Sequence, residues 1–453
     1  MSAASPTEPE SIRPTFTSSV TAALTLIGVA IGLGNFWRFP YLVGRFGGAA
    51  FVLFYILLVF AVGVPALMAE MALGRHTGRG TVGAFERAGV PGGRYIGWFF
   101  FVIVLGSVGY YTTAVGWVLC FALTHVLRAF RLPAWDPTVV LPPATGFAPA
   151  SFALGAMFTA IVLLLATVVL RRGLRRGIEA ASRILIPTLF VILIVLIVRG
   201  LTLPGAGEGV HWFLFKFRPS ELTGTVMVAA LGQVIFSLSL GGTFMVVYGS
   251  YLSRDQALAR NAIATAGADT AAGLLAGLAI FPAVFAFNLE PGSGPALIFE
   301  TLPRVFAAVP AGAIFAALFF AGLFCVALLS DIAAFEVLVA GITDNSRLGR
   351  RRAITIVTAA AFLLSLAPML NLDVFVPWDL TFGSGMQTLG ALLAVLTVGW
   401  ALDRSTALRE MARQGQPAPA WLYLWIRFAV PGCILLVGVW WLLTDVLHIV
   451  GGV

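Results

Sequence analysis

The feature that most constrains this sequence is a series of eleven apolar stretches, because about 20 consecutive apolar residues are what a helix needs to cross a bilayer. Hydrophobic residues make up 59% of the chain and charged residues 11%, which is too apolar for a soluble protein of 453 residues. We therefore predict an all-α membrane protein with eleven transmembrane helices. The stretches lie near residues 19–43, 49–73, 95–126, 151–171, 183–203, 223–251, 262–289, 306–342, 353–371, 376–402 and 421–447.

Arginines cluster in every second loop between these spans. Loops after spans 2, 4 and 8 each hold four, in the segments 75–94, 171–176 and 347–352. The positive-inside rule assigns these loops and the N-terminus to the cytoplasm. We predict a multi-pass protein of the inner (plasma) membrane, and the net charge of +8 reflects this topology rather than a nucleic-acid partner.

Two of the spans cannot be plain helices. Span 1 contains Gly28, Gly32, Gly34, Asn35 and Arg38 at membrane depth, and span 6 contains the run 237–243, Ser-Leu-Ser-Leu-Gly-Gly-Thr. Glycine-interrupted spans in corresponding positions of two halves indicate a binding site near the membrane midplane. The alternative is close packing of helices through small residues.

The two breaks, five spans apart, predict two inverted five-helix repeats with broken helices 1 and 6. The predicted segments are a cytoplasmic N-terminal segment at 1–17, a first repeat at 18–203, a second at 223–402, and a peripheral eleventh helix at 421–447.

Several motifs together resemble the neurotransmitter:sodium symporters, and eleven spans resemble their bacterial amino-acid branch, with its leucine-transporter-like fold. They include Gly-Leu-Gly-Asn-Phe-Trp-Arg-Phe-Pro at 32–40, Glu-Met-Ala-Leu-Gly-Arg at 70–75 and Gly-Gln-Val-Ile-Phe-Ser-Leu-Ser-Leu-Gly at 232–241. The resemblance covers residues 13 to 445. It implies a secondary active symporter that imports an amino acid with sodium by alternating access.

For a first sodium ion, the resemblance implies oxygen ligands from span 1, the span 6 break and span 7. The matching positions are Ala30, Asn35, Ser237 and Asp269. Many relatives have Asn at the position of Asp269, and some use chloride to supply negative charge nearby. We expect Asp269 to supply that charge and to make transport independent of chloride. The alternative is that Asp269 pairs with a cytoplasmic arginine.

A second sodium site resembles the family less closely. Backbone oxygens and one hydroxyl remain possible, but Leu329 stands where a Thr or Asp ligand is usual, and Asp331 compensates only if the helix is locally shifted. The candidate residues are Gly28, Ile31, Val326 and Ser330.

For the substrate, the resemblance implies that the carboxylate meets backbone N–H groups of Leu33 and Gly34, the Tyr111 hydroxyl and the first sodium. Gly32 leaves room for that carboxylate. The ammonium meets carbonyls around Ala30, Phe236 and Ser239. The expected lining of the side-chain pocket is Ser107, Gly242, Asp331 and Ala334. Asp331 then pairs with a cationic or hydrogen-bonding side chain; the alternative is a large neutral or aromatic substrate.

Gates are implied on both sides of the site. Outside, Arg38 and Asp379 match an ion-pair gate with Phe236 as a lid. Inside, Arg13 and Asp344 match a cytoplasmic pair, and Phe16 replaces the usual tryptophan. Ser250 and Tyr251 are expected beside the inner pair. Arg13 alone also fits an ordinary positive-inside charge.

Other classes of function stay open to different degrees. A sodium-independent or proton-coupled amino-acid carrier is the main alternative, followed by a nutrient sensor on a transporter scaffold and by a channel. We expect no enzyme, because the histidines lie in loops or near span ends and no nucleophile has a recognisable base; they are His76, His125, His211 and His448.

Overall fold

The structure, a computed structural model, describes residues 13–289, 297–411 and 418–447, and within these ranges the regular structure is helical, with no strand. Most of the predicted segment 1–17 therefore lies outside the described residues. Eight of the described helices are long and apolar enough to cross a membrane. Numbered after the predicted spans, they are Ala49–Thr77 (helix 2), Gly93–Ala129 (helix 3), Pro149–Arg171 (helix 4), Leu174–Leu201 (helix 5), Leu258–Ala286 (helix 7), Gly312–Asn345 (helix 8), Leu372–Ala401 (helix 10) and Ala420–Thr444 (helix 11). The shorter Arg350–Ser365 is helix 9.

The first predicted break is present. Helix 1a, Ser19–Ala30, starts at a capping box made by Ser18 and Thr21 and ends where Ile31 becomes extended. Helix 1b, Gly34–Phe46, follows after three residues, and the two halves are bent by 55°. Counted as one span, this pair raises the number of candidate spans in the described ranges to nine.

Span 6 is also broken. Helix 6a, Gly224–Ser237, and helix 6b, Phe244–Gly249, are separated by six residues without regular structure. Within this gap Ser239, Gly241 and Thr243 have φ angles of +52°, +89° and +55°, in the left-handed region that interrupts a right-handed helix. Neither half is long enough to span a bilayer by itself, and the same holds for Arg350–Ser365, where span 9 was predicted. The count of eleven spans therefore stays a prediction.

Burial separates an inner set of helices from an outer set. Gly93–Ala129 is 78% buried over its most apolar window and packs along much of its length against Gly312–Asn345. Pro149–Arg171, Leu174–Leu201 and Ala420–Thr444 are only 39%, 33% and 29% buried, so their exposed leucines, valines and tryptophans are available to lipid. The broken helices lie with the inner set. Short helices connect the spans: Thr81–Arg87, Ala206–Leu214, Leu302–Ala308 and Arg404–Glu410.

Candidate functional site

A cavity of about 60 Å³ lies between the two broken helices. This is more space than a single water molecule needs, which is roughly 10–15 Å³. The side chains of helices 3, 8 and 10 close its remaining walls. The lining residues are Ala30, Gly32, Leu33, Gly34, Asn35, Ser107, Val108, Tyr110, Tyr111, Phe236, Ser237, Ser239, Phe244, Ser330, Ala334 and Gln387.

Three residues predicted as ligands of the first sodium meet at one edge of this cavity. The Asn35 Nδ2 donates hydrogen bonds to the Ser237 Oγ (3.1 Å) and the Asp269 Oδ1 (2.8 Å). The Ser237 Oγ donates to the Asp269 Oδ2 at 2.8 Å. The fourth predicted residue, Ala30, ends helix 1a and lines the same cavity, where the last carbonyls of a helix lack partners within it. A carboxylate, a hydroxyl and backbone carbonyls form an oxygen set that suits a hard cation.

Asp269 is fully buried, with no exposed surface, and its hydrogen-bond partners among the described residues are polar but uncharged. The Tyr55 hydroxyl also points to its Oδ2, at 3.4 Å. A buried carboxylate without a cationic partner is costly in free energy. A sodium ion at this edge would supply the missing positive charge. The reading of Asp269 as the partner of a cytoplasmic arginine finds no such contact among the described residues.

The glycines of helix 1 are required by close contacts across the cavity. A Cβ at Gly32 would lie 3.0 Å from the Tyr111 hydroxyl oxygen and 3.2 Å from the Ser330 Oγ. A Cβ at Gly34 would lie 2.7 Å from the Phe236 ring. The backbone N–H of Leu33 donates to the Tyr111 hydroxyl at 3.3 Å. Tyr111, the helix 1 break and Ser330 therefore form one wall of exposed hydrogen-bonding groups.

Most of the predicted substrate-binding residues line the cavity, but Gly242 and Asp331 do not. Asp331 accepts a hydrogen bond from the Thr112 hydroxyl at 2.9 Å and is fully buried between helices 3 and 8. Its neighbour Ser330 faces the cavity instead. Gly242 lies against the Phe244 ring, since a Cβ added at Gly242 would be only 2.0 Å from a ring carbon. Phe244 lines the cavity in place of Gly242.

At the predicted second sodium site, an apolar side chain stands beside helix 1a. A Cβ at Gly28 would lie 3.4 Å from both the Leu329 Cδ1 and the Ser182 Oγ. Ile31 and Val326 are fully buried here, and Ser330 points to the substrate cavity. Leu329 supplies no side-chain oxygen at this position. Asp331 lies two residues further along helix 8, where it is bonded to Thr112.

On one side of the cavity, the predicted outer gate residues lie together. The Arg38 guanidinium stacks over the Phe236 ring, 4.6 Å from its centre. Asp379 is hydrogen-bonded by the Tyr110 hydroxyl and lies within electrostatic range of Arg38. Beyond Phe236 there is a second cavity of about 100 Å³ lined by Arg38, and Phe236 and Gln387 contact both cavities. These two residues therefore separate the substrate cavity from the second cavity.

On the opposite side, the predicted inner pair is closed. The Arg13 Nη1 lies 2.5 Å from the Asp344 Oδ2, and its guanidinium lies 5.0 Å from the centre of the Tyr251 ring. Asp344 also accepts from the backbone N–H of Gly80 at 2.7 Å. Phe16, which stands where the family usually has a tryptophan, packs edge-on against Tyr251. Ser250 is buried nearby, with its hydroxyl bonded to the Val247 carbonyl.

Three polar residues, of which Glu70 and Glu336 are buried, belong to this architecture but were not assigned a role from the sequence. Glu336 accepts from the Tyr251 hydroxyl at 2.7 Å and pairs with Arg350, which joins the inner gate to helix 9. Glu70 accepts from the backbone N–H of Gly241 at 2.8 Å and holds the span 6 break. Gln387 lines the cavity from helix 10. The signal for the first two was available, since carboxylates at membrane depth are rare unless functional.

Comparison with known proteins agrees with this architecture. Residues 13–136 and 153–445 match the model of the sodium:neurotransmitter symporter family. The chain is 30% identical to an uncharacterized sodium-dependent transporter of Haemophilus influenzae, over 94% of this chain and 97% of that protein. It is 31% identical to the uncharacterized sodium-dependent transporter YhdH of Bacillus subtilis, over 93% and 96%. The crystal structure of MhsT in complex with L-phenylalanine superimposes with a TM-score of 0.81 at 32% identity, covering 94% of this chain and 99% of that one.

Membrane-spanning helices, two of them broken around a small cavity, are an arrangement found in secondary transporters. The chain belongs to the sodium:neurotransmitter symporter family, as the motifs at residues 32–40 and 232–241 had indicated. It is thus a multi-pass membrane protein of a transporter family.

Proposed function

We propose that this protein is a sodium-coupled symporter that imports an amino acid by alternating access. The observation that carries the proposal is the cluster of Asn35, Ser237 and Asp269 at the edge of the cavity between the broken helices. One cation there would touch both the protein oxygens and a substrate carboxylate. Sodium and substrate then stabilise each other's binding, which is the thermodynamic condition for coupling.

The substrate's main chain fits the groups on the cavity wall. Its carboxylate would accept from the N–H groups of Leu33 and Gly34 and from the Tyr111 hydroxyl, all beside the proposed sodium. Its ammonium would meet carbonyls near Ala30, Phe236 and Ser239, where both helices are interrupted. The L-phenylalanine complex of MhsT supports an amino acid as the substrate class.

The charge of Asp269 replaces the need for an anion. The carboxylate is buried in contact with Asn35 and Ser237, so a bound sodium ion is neutralised within the first site. Gly273, one turn further along helix 7, offers neither a hydroxyl nor an acid. We infer that transport does not require chloride.

The two gates must open in turn during the transport cycle. Here the Arg13–Asp344 pair closes the inner side, while Phe236 and Arg38 cover the cavity on the outer side. Opening the outer side requires Phe236 to leave the cavity, and opening the inner side requires the pair at Arg13 to separate. The proposed topology has eleven spans in the inner (plasma) membrane, with the N-terminus in the cytoplasm. Residues 18–203 and 223–402 form the two inverted repeats, and 421–447 is a peripheral helix.

A second candidate is a carrier with a different ion requirement. Leu329, packed beside Gly28, removes the side-chain oxygen from the second site, which favours a sodium-independent or proton-coupled amino-acid carrier. The buried Asp269 carboxylate could serve either cation, sodium or a proton. The two candidates differ in whether binding depends on sodium at constant pH.

The test is a thermal-shift screen of the purified protein against the twenty amino acids, with sodium or potassium as the only cation. A ligand that binds only the folded state at 100 times its Kd stabilises that state by about 2.7 kcal/mol. We expect stabilisation by an amino acid in sodium and none in potassium. Equal stabilisation in both salts would reject sodium coupling. If the Asp269→Asn variant loses the stabilisation in sodium, the ion binds at Asp269.

A further inference from the structure

Gln387, in the first turn of the helix Met386–Leu396, lines the substrate cavity and also the second cavity beyond Phe236. Its Nε2 donates to the Ser107 Oγ at 3.3 Å. The Ser107 hydroxyl itself has two carbonyl oxygens as neighbours, those of Ile103 at 3.0 Å and Phe382 at 2.8 Å. Because carbonyl oxygens only accept, the hydroxyl donates to one of them and accepts from Gln387.

This arrangement fixes which end of the amide is used. The nitrogen of Gln387 faces Ser107, so its oxygen, Oε1, is the group left to interact with a ligand. In the described ranges no hydrogen bond reaches that oxygen from the protein, and it is not among the buried polar atoms shut off from solvent. A cavity-lining acceptor without a protein partner needs a donor from the substrate or from water.

The backbone holds Gln387 in place against the span 6 break. Gly241 has a φ of +89°, and a Cβ there would lie 1.7 Å from the Gln387 carbonyl oxygen. A Cβ at Gly390, one turn later, would lie 1.8 Å from the Gly241 carbonyl oxygen. With the two backbones in direct contact, the Gln387 side chain starts from a fixed point, as a selective hydrogen bond requires.

The surroundings of Gln387 decide the kind of donor. Ser107 and Ala334 are small, while Asp331 bonds to Thr112 and is not part of the cavity lining. A cationic side chain would meet no carboxylate in the lining, and an unpaired buried charge is costly. A neutral hydroxyl or amide matches the single oxygen, and the volume of about 60 Å³ suits a short side chain.

We propose that Gln387 reads the substrate side chain through its amide oxygen and that the preferred substrates are small amino acids with a neutral donor: serine, threonine or asparagine. This inference rests on the proposed function, since it specifies the substrate class of the same site. Gln387 is here a specificity-determining residue.

The experiment compares pairs that differ only by exchange of the hydroxyl for a methyl group. Serine against 2-aminobutyrate and threonine against valine are measured as ligands of the purified full-length protein in sodium, by competition against one labelled amino acid. One neutral hydrogen bond corresponds to a preference of roughly three- to tenfold for the hydroxyl member. We expect that preference in the wild type and its loss in Gln387→Leu.

Two results would overturn the inference. The first is a wild type that binds amino acids in sodium without preferring the hydroxyl member. The second is a Gln387→Leu variant that weakens both members equally and keeps their ratio. A wild type that binds no amino acid in sodium would instead reject the proposed function, and the melting temperature of the variant without ligand checks that it is folded.

Discussion

The Ser237 hydroxyl donates a 2.8 Å hydrogen bond to the Asp269 carboxylate, which joins the last residue of helix 6a to the middle of helix 7. Asn35 from helix 1b completes the contact. Three helices thus converge on one buried negative charge at the edge of the cavity. The first prediction concerns that charge.

Replacing Asp269 by Asn keeps the size of the side chain and removes its charge. We expect sodium-dependent uptake in chloride-free buffer to fall by at least about tenfold, since a shift of 1.4 kcal/mol in cation binding has that effect. Uptake into proteoliposomes, with gluconate in place of chloride, measures it. Asp331→Asn is the matched control, because Asp331 is equally buried but contacts Thr112 outside the cavity. Wild-type uptake that depends strictly on chloride would contradict the role given to Asp269.

The second prediction tests the close contact of helix 1 with the lid. Gly34→Ala would place a Cβ 2.7 Å from the Phe236 ring, and the ring would have to move. Overpacking of this kind costs about 1–3 kcal/mol. We expect substrate affinity to fall by about 5- to 150-fold in equilibrium binding. Gly432→Ala, in the outer helix Ala420–Thr444, has no atom within 4 Å of the added carbon and should leave affinity unchanged.

The inner ion pair gives a third prediction. Arg13→Ala removes the partner of Asp344 and the cation over the Tyr251 ring, so helix 1a loses its anchor at the cytoplasmic end. Amide hydrogen exchange in Ser19–Ala30 should become faster, and uptake should fall. Arg175→Ala is the control, because Arg175 donates to the Thr15 carbonyl in the same segment from an exposed position. Equal acceleration in both variants would mean that the ion pair does not act as a gate.

A fourth prediction separates Leu329 from Asp331. Asp331→Ala should leave the Hill coefficient for sodium unchanged, because Asp331 is bonded to helix 3 and does not approach Gly28. Leu329→Thr adds an oxygen beside Gly28 and should raise the coefficient above the wild-type value. Uptake as a function of sodium concentration gives both numbers. A lowered coefficient in Asp331→Ala would restore Asp331 as a ligand of a second ion.

The sequence was sufficient for the two breaks, because clustered glycines weaken a helix and because Asn35 and Arg38 are costly at membrane depth. The residues proposed for the first sodium site, among them Asp269, came from the family resemblance. Of these, residues 35, 237 and 269 do lie together.

Side-chain direction was harder to predict. Neighbouring residues on an α-helix point about 100° apart, so a small difference in helix phase exchanges Ser330 for Asp331 in the cavity. Gln387 follows a wide helical turn, Asp379–Gly385, whose extra residue per turn shifts the phase of everything after it. Neither the phase nor the wide turn can be read from hydrophobic periodicity alone.

The contact between Gly241 and Gly390 constrains how the molecule can move. With a built Cβ only 1.7–1.8 Å from the facing carbonyl oxygens, there is no side chain between the break in span 6 and the start of helix 10 to act as a cushion. Rotation of either segment toward the other is therefore blocked. We expect a rearrangement that moves the span 6 break to move the start of helix 10 as well, and with it the wall that carries Gln387.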